Sequence, residues 1–137
     1  MFKLKIGMCM KHTMWSQEDL QKISVSDDLH ISPLREDGKS YGTPTWIWSV
    51  VVDENLYVRA YHGEHSSWYK AALRQKAGQI NVSGMTLKVS FAPMMEKELN
   101  DRIDEAYIAK YKGNPYLDSM ISAKARAATI KILPQSS

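Results

Sequence analysis

The chain has 137 residues and a formal net charge of +3, a length that fits one domain around one core and argues against a two-domain enzyme with an interdomain cleft. Its basic residues are spread from Lys3 to Lys131 rather than clustered, which argues against a nucleic-acid track, and no stretch approaches the roughly 20 apolar residues of a membrane-spanning helix. The single cysteine, Cys9, cannot form an internal disulfide, so the composition favours a soluble protein of the reducing cytoplasm.

The start of the chain, "MFKLKIGMCMKHTMW", lacks the continuous apolar segment and the small-residue cleavage pattern of a signal peptide. We expect residues 1–14 to form a poorly packed extension. Residues 15–134 then form the domain, and residues 135–137 are a short tail. A variant without the extension that failed to fold would contradict this division.

A short helix and a first strand open the domain. Ser16 is a typical N-cap residue, acidic residues follow it, and Leu20 and Ile23 make an apolar stripe. The next segment, "LHISPL" (29–34), is prone to β-structure. The stretch "REDGKSYG" after it carries the Asp-Gly signal of a turn.

Two further strands, over residues 43–52 and 55–61, predict a hairpin. In the first of them both alternating sets are apolar, which is typical of a strand buried on both faces, inside a barrel or an interface. In the second strand the faces differ, because side chains alternate with a period of two. One face carries Leu56, Val58 and Ala60, and the other carries Tyr57, Arg59 and Tyr61. We therefore expect Arg59 between two tyrosines on a polar face.

The second half of the chain alternates helices and strands. Ser66 or Ser67 can cap a helix that runs to about Lys76, with Gly78 as the left-handed residue beyond its end. A hairpin is expected about Ser83-Gly84, with a half-exposed second strand. The remaining predicted elements are a helix from about Lys97 to Lys112, a short helix within 117–127 and a strand over 129–133. This order indicates an α+β fold on a small closed or nearly closed antiparallel sheet.

The segment "RAYHGEHSSWYKAALR" (59–74) gathers the strongest candidates for a binding site. A helix start offers unpaired backbone N–H groups and the positive end of the helix dipole, which favour a phosphate or carboxylate. Arg59 at the end of the preceding strand can add a bidentate contact, and the hydroxyls of Ser66 and Ser67 can donate as well. The alternative is that the serine only caps the helix, that Arg59 pairs with Glu64 on the surface, and that Trp68 belongs to the core.

Other features are open to two interpretations. The turn at "REDGKSYGTPTW" supplies Arg35, Lys39 and Ser40, either to the same site or as a solvated turn. The aromatic rings, Trp46 among them, can stack on a planar ligand or fill a core or subunit interface. His62 and His65 lack a companion set of metal ligands, so we expect no metal site.

Several stretches together are similar to an uncharacterised bacterial domain family of about this length: "TPTWIW", "LYVRAYHG", "SSWYKAAL", "AYIAKYKG" and "ATIKILP". More distantly, the basic turn, the "TP" strand, the hairpin strand ending in a glycine-containing loop and the "WY" helix resemble the deazaflavin-dependent nitroreductases and other members of the flavin-binding split-barrel superfamily. This resemblance implies a small antiparallel split β-barrel with peripheral helices. It also implies a homodimer, with FMN or a deazaflavin near the subunit interface.

The resemblance carries over a set of cofactor-binding residues from the basic turn and from the loop and helix after the hairpin. They are Arg35, Lys39, Ser40, Thr43, Trp46, Arg59, His62, Gly63, Ser66, Ser67, Trp68 and Tyr69. The turn departs from the better-known relatives because Glu36 and Asp37 oppose an anionic ligand beside them.

The leading hypothesis is a flavin- or deazaflavin-binding oxidoreductase that acts on a small organic acceptor. It agrees with the lack of a conspicuous catalytic acid or nucleophile in the sequence, because a flavin-type ring itself carries the chemistry. Tyr57, Tyr61 and Tyr69 are equivalent candidates for orienting a substrate or donating a proton. The alternative is a binding module of the same fold that holds a small ligand without turnover.

Overall fold

The computed structural model describes residues 14–135, and in this range seven strands form one antiparallel sheet with five helices around it. The strands are β1 (His30–Pro33), β2 (Thr45–Trp46), β3 (Ser49–Val52), β4 (Asn55–Arg59), β5 (Ala77–Val82), β6 (Met85–Pro93) and β7 (Thr129–Pro134). The helices are α1 (Gln17–Ser24), α2 (Ser67–Gln75), α3 (Lys97–Lys110), α4 (Leu117–Met120) and α5 (Ala123–Arg126), with a 3-10 turn at Gly63–His65. The predicted α+β fold on a small curled antiparallel sheet is confirmed.

The sheet is curled because consecutive strands lie at its two opposite edges. The spatial order is β2-β1-β5-β6-β7-β4-β3, so β2 and β3 are the edge strands although only Ile47 and Trp48 separate them in the chain. From Trp46 to Ser49 the extended chain makes three steps and spans at most about 11 Å, which forces the two edges together. The sheet therefore forms a half-barrel. The prediction of one uninterrupted strand over 43–52 is wrong, because β2 pairs with β1 whereas β3 pairs with β4. We call the link between β2 and β3, residues 47–48, the crossing.

The concave face of the sheet holds an interior cluster of mainly aliphatic side chains. Leu56 and Val58 of β4, and Ala60 directly after it, belong to this cluster and are fully buried. Ile130 and Ile132 of β7 join them across the ladder. At the start of the domain, Trp15 is tied to this cluster through its indole N–H, which donates to the carbonyl of Ile132 at 2.9 Å.

The other face of the sheet is covered by α3 and forms an outer cluster that is richer in aromatic rings. It consists of Trp48, Val50, Val52, Tyr57, Ile103, Tyr107, Tyr111 and Met120. At the crossing, the side chains of neighbouring residues point to opposite faces of the sheet. Ile47 thus belongs to the interior cluster and Trp48 to the outer cluster. The prediction that this segment is buried on both faces is confirmed for residues 47–52, where Val51 is half-buried, and is wrong for Trp46, which is 57% exposed.

The tight turns follow the sequence signals. Asp53 and Glu54 have φ values of 50° and 64°, and Ser83 and Gly84 have φ values of 50° and 77°, as two-residue hairpin turns require. The predicted role of Gly78 is wrong, because Lys76 adopts the left-handed conformation that ends α2. Gly78 lies inside β5, where an added Cβ would come within 2.5 Å of the carbonyl oxygen of Ser32.

The remaining helix predictions differ from the structure mainly in their ends. Ser16 caps α1 by accepting a hydrogen bond from the amide of Asp19. Helix α3 ends at Lys110 rather than Lys112, and the segment 117–127 forms two short helices instead of one. The predicted extension lies, apart from Met14, outside the described residues. No helix in the described part of the chain is long and apolar enough to cross a membrane.

Candidate functional site

A cavity of about 580 Å³ opens where the crossing between β2 and β3 meets the end of β4, the start of α2 and the loop after α3. We call it the aromatic chamber. It is lined by Thr45, Trp46, Ile47, Trp48, Arg59, Tyr61, His62, Ser66, Ser67, Trp68, Asn114, Tyr116 and Met120. Three of the four tryptophans of the chain and two tyrosines therefore face one space.

The crossing places two of these tryptophans on the chamber in different ways. The Trp46 ring is 57% exposed, and its indole N–H donates to the carbonyl of Asp27 at 2.7 Å. Trp48 is buried and stacks on Tyr111, with 4.0 Å between ring centroids and 4° between planes. The Trp48 ring is thus held in place by Tyr111, whereas the exposed Trp46 ring forms an open wall of the chamber.

Side chains of α3 hold the backbone of the crossing. The hydroxyl of Tyr107 donates to the carbonyl of Trp48 at 2.9 Å, and Lys110 Nζ donates to the carbonyl of Ser49 at 2.7 Å. The hydroxyl of Tyr111 accepts from the Ser49 amide at 3.1 Å. Burial lowers the pKa of Lys110 to about 8 and raises that of Tyr111 to about 12, because both charged forms lose solvation.

At the mouth of the chamber Tyr61 contacts two other rings edge to face. The Tyr61 centroid lies 5.1 Å from that of His62 and 6.0 Å from that of Tyr116. The chain then turns at Gly63, whose φ is 76° and where an added Cβ would meet Lys124 Cγ at 2.7 Å. A side chain at this position would push the loop away from α5, which explains the glycine.

A second cavity of about 650 Å³, the basic chamber, adjoins the first over the start of α2. The two chambers share Thr45, Ser67 and Trp68 as lining residues. Arg35 and Arg74 line the basic chamber from the turn after β1 and from α2.

Two acidic residues, Glu36 and Asp37, also line the basic chamber. The Asp37 carboxylate is occupied within its own turn, where it accepts from the amides of Lys39 and Ser40 at 2.8 and 2.9 Å and from the Ser40 hydroxyl. These hydrogen bonds hold the pKa of Asp37 below its usual value, and the bond from the Lys39 amide has the largest effect. This carboxylate therefore stays ionised and serves the turn.

The side chain of Arg59 is directed into the protein and is fully buried. Its Nε donates to Thr129 Oγ1 at 3.0 Å, and Nη2 donates to the carbonyl and the side-chain oxygen of Asn100 at 3.1 and 2.9 Å. Its Nη1 donates to Asp104 and, at 3.1 Å, to the carbonyl of Met120. A guanidinium has five N–H donors, so Arg59 retains none for a ligand. The expected pair with Glu64 is replaced by the buried pair with Asp104.

The structure brings most of the predicted site residues together. The aromatic chamber is lined by Trp46, Arg59, His62, Ser66, Ser67 and Trp68, and the basic chamber adds Arg35 and Thr43. Four predicted residues line neither chamber: Lys39, Ser40, Gly63 and Tyr69. Tyr69 is buried in the interior cluster, and its hydroxyl donates to the carbonyl of Ala127 at 3.4 Å.

Sequence reasoning missed Asn114, Tyr116 and Arg74. Arg74 follows Ser67 by seven residues, two helical turns, so the helix period places both on one face, a signal that the sequence contained. Asn114 and Tyr116 belong to the loop after α3, and their place at the chamber depends on the packing of α4, which no local pattern reveals.

Helix α2 presents its N-terminus between the two chambers. Ser66 is its N-cap, with extended backbone angles, and its side chain makes no capping hydrogen bond. The first amides of the helix thus lack the usual side-chain acceptor and stay available to an acceptor from outside. Among the residues that the structure describes, no group of three or more His, Cys, Asp or Glu side chains is placed to hold a metal ion.

A half-barrel with an aromatic cavity at the strand crossing thus defines the class of protein. Residues 19–132 match the model of a family described as an uncharacterized protein conserved in bacteria (DUF2255), and the chain belongs to this family. Among solved structures it is similar to the conserved hypothetical protein Rv2991 from Mycobacterium tuberculosis, with a TM-score of 0.60, 14% sequence identity, and coverage of 89% of this chain and 81% of that one. At this identity the likeness concerns the fold alone. No curated protein matches the sequence.

Proposed function

We propose that this protein binds a flavin or a deazaflavin, with the ring system in the aromatic chamber and the anionic tail directed over α2 toward the basic chamber. The observation that carries the proposal is the junction of the two cavities at Thr45, Ser67 and Trp68. One cavity offers rings, and the other offers Arg35 and Arg74 beside Glu36 and the turn-bonded Asp37. A ligand with a flat aromatic end and a charged end matches this order.

The size and chemistry of the aromatic chamber fit a tricyclic ring. Its volume of about 580 Å³ lies within the roughly 300–1,000 Å³ typical of small-molecule sites. Trp46 and Trp68 offer faces for stacking, and Thr45, Asn114 and His62 offer hydrogen-bonding groups for the polar edge of a ring.

The groups for a phosphate or acidic tail are the free amides at the start of α2, the hydroxyls of Ser66 and Ser67, and the guanidinium groups of Arg35 and Arg74. Thr43 lies on the same path. Arg59, in contrast, is left out of the proposed anion site because its donors are all used inside the protein.

A bound flavin-type ring supplies hydride transfer, which makes an oxidoreductase the enzyme class that we propose. The chain's own residues bind and orient the ring and shield it from water. Of the three candidate tyrosines, only Tyr61 lines the chamber, since Tyr57 lies in the outer cluster and Tyr69 in the interior cluster. We therefore assign to Tyr61 the role of contacting a substrate.

A binding module without turnover is the second candidate. The observation that favours it is the composition of the chamber, since its lining in the described part of the chain includes no Asp, Glu or Lys. Such a lining recognises a ring but supplies no strong acid or base beyond His62 and the tyrosines.

Tryptophan fluorescence offers a direct test, because three of the four tryptophans line the chamber. Titration with lumiflavin, FMN and a deazaflavin should quench the emission in a saturable way. Addition of a reduced nicotinamide and an acceptor to the loaded protein then separates the enzyme, which turns over, from the binding module, which does not. A protein that binds none of the three compounds at about 0.1 mM, a concentration on the order of the Kd of a weakly bound cofactor, contradicts the proposal.

The contribution of the tail is tested by Arg35→Ala and Arg74→Ala. Loss of one charge-assisted contact should weaken FMN binding about tenfold and leave lumiflavin, which has no phosphate, unchanged. Lys39→Ala is the matched control, since Lys39 lies in the same turn but lines neither chamber. An equal loss in all three variants would point to a general effect of charge.

The homodimer is also part of the proposal. It is supported by the exposed rings at the mouth of the chamber, Trp46, Tyr61 and Tyr116, which a second copy of the chain would cover. Light scattering should give twice the mass of one chain, and Trp46→Ser should shift the balance toward the monomer. A wild-type protein that stays monomeric at 0.1 mM, about a hundredfold above a micromolar Kd, rules this part out.

A further inference from the structure

Arg59 joins three elements behind the aromatic chamber. Its guanidinium contacts Thr129 in β7, Asn100 and Asp104 in α3, and the carbonyl of Met120 in α4. Thr129 Oγ1 also lies within hydrogen-bond distance of Asn100 Oδ1, at 2.9 Å, and of the Arg126 carbonyl, at 2.8 Å, so the partners of Arg59 are close to one another as well. The group thus connects the floor of the sheet to α3 and to the end of α4.

Met120 ends the segment 114–120, which forms one wall of the aromatic chamber through Asn114, Tyr116 and Met120. The backbone hydrogen bonds of this segment are local, from Leu117 to Asn114 at 3.1 Å and from Met120 to Tyr116 at 3.4 Å. The bond from Arg59 to Met120 comes instead from a residue 61 positions away. It fixes the place of the wall relative to the sheet, which local bonds cannot do.

The charge of this group is balanced within the protein. Asp104 accepts from Arg59 and from Arg126 of α5, and Arg126 also pairs with Asp101 at 2.9 Å. Two guanidinium groups thus face two carboxylates. A buried charge with all its hydrogen bonds satisfied holds its neighbours in one geometry, since any shift leaves a donor unpaired.

We propose that Arg59 is a positioning residue that holds segment 114–120 in place as a wall of the aromatic chamber. It acts through Met120 and Tyr116 and has no N–H donor left for a hydrogen bond to a ligand. Its effect on ligand affinity rests on the proposed function, whereas its effect on the mobility of the wall does not.

The test compares wild type with Arg59→Met, Arg59→Lys and the control Arg126→Met. The control removes a partner from the same carboxylate, Asp104, but no bond to Met120. Hydrogen exchange reports the amides of Met120 and Ile121, with the hairpin β5–β6 as an internal reference for global stability. Tryptophan fluorescence reports the Kd for FMN at a temperature at which each variant is folded.

In Arg59→Met, exchange at Met120 and Ile121 should accelerate at least tenfold relative to the hairpin amides, and FMN affinity should fall at least tenfold. Arg126→Met should change both less than threefold. Unchanged exchange in segment 114–120 of the folded variant overturns the proposal. If Arg59→Met does not fold, Arg59→Lys decides, because its three donors cannot replace five and an intermediate acceleration is expected.

The two proposals fail differently. A wild-type protein that binds no FMN removes the cofactor assignment, and hydrogen exchange alone then decides the positioning role. If the wild type binds FMN and both Arg59→Lys and Arg59→Met bind it with the same affinity, the cofactor assignment is supported. The positioning role of Arg59 in ligand binding is then wrong.

Discussion

Across strand β4 the two faces of the half-barrel sheet bury side chains of different chemistry. Toward the concave side, Leu56, Val58 and Ala60 enter a mainly aliphatic cluster, whereas toward α3 the same strand buries Tyr57 and the charged Arg59. The interior cluster needs only volume and burial. The outer face also needs every donor paired, because an unpaired buried polar group costs more than its hydrogen bond contributes.

This difference has a consequence for function. Of the β4 side chains, those in the interior cluster line neither chamber, whereas Arg59 on the opposite face lines the aromatic chamber and supports Met120. The interior cluster reaches the chamber from the crossing, through Ile47. Within β4, the face that is costlier to bury is thus the one that contributes to the candidate site. Mutations on the two sides should separate these roles.

The largest effect is expected for Asp104→Leu, which leaves Arg59 buried without its counter-ion and should destabilise the protein by about 4 kcal/mol. Denaturant unfolding measures the change. Asp101→Leu is the matched control one turn earlier on α3, because its carboxylate is 46% exposed and pairs with Lys97 and Arg126, which are 84% and 25% exposed, rather than with the fully buried Arg59. Equal losses in the two variants would mean that the charge of α3, rather than the buried pair, is what matters.

A somewhat smaller effect is expected for Leu56→Ala in the interior cluster, about 3 kcal/mol from lost burial and the cavity left behind. Ile108→Ala on the exposed side of α3 serves as the control and should have little effect. The double variant Leu56→Ala with Asp104→Leu sharpens the comparison, because clusters on opposite faces should give additive losses within about 0.5 kcal/mol. A larger coupling energy would show that the sheet transmits strain between its faces.

The partly buried amine of Lys110 predicts a pH dependence that arises on the outer face. Its pKa falls from 10.5 to about 8 on folding, so between these values the unfolded chain binds more protons and stability rises with pH. Above pH 10 stability should fall again, because burial raises the pKa of Tyr111 to about 12 while the unfolded chain already loses that proton. Lys110→Met should remove the rise between pH 8 and 10, about 1 kcal/mol after allowance for partial exposure. Thermal unfolding over this range would contradict the prediction if both proteins showed the same curve.

The smallest effect is expected for Ser49→Ala. The Ser49 hydroxyl is buried and, among the described residues, has no hydrogen-bond partner. Its removal should leave stability unchanged or raise it by up to about 1 kcal/mol, since no bond is lost and a desolvated group disappears. A clear loss of stability would mean that the hydroxyl has an acceptor after all.

Most of the elements could be predicted from the sequence, because they depend on local chemistry. Ser16 marks the start of α1, the period-two patterns mark β4 and β6, and Ser83-Gly84 marks a hairpin turn. The sequence also predicted that Ser66, Ser67 and Trp68 would share a site with Trp46 and His62, and these residues do line one chamber.

Tertiary structure alone decided the surroundings of Arg59 and the path of the chain between β2 and β3. Period-two alternation correctly predicts that Arg59 lies opposite the aliphatic face, but it says only which face a residue occupies. Helix α3 covers this face, and its Asp104, the partner of Arg59, lies 45 positions away in the chain. In the same way, an apolar run over residues 47–52 predicts burial and not a change of partner. Closure of a curled sheet is a property of all seven strands together, because no segment carries the twist and register of the others.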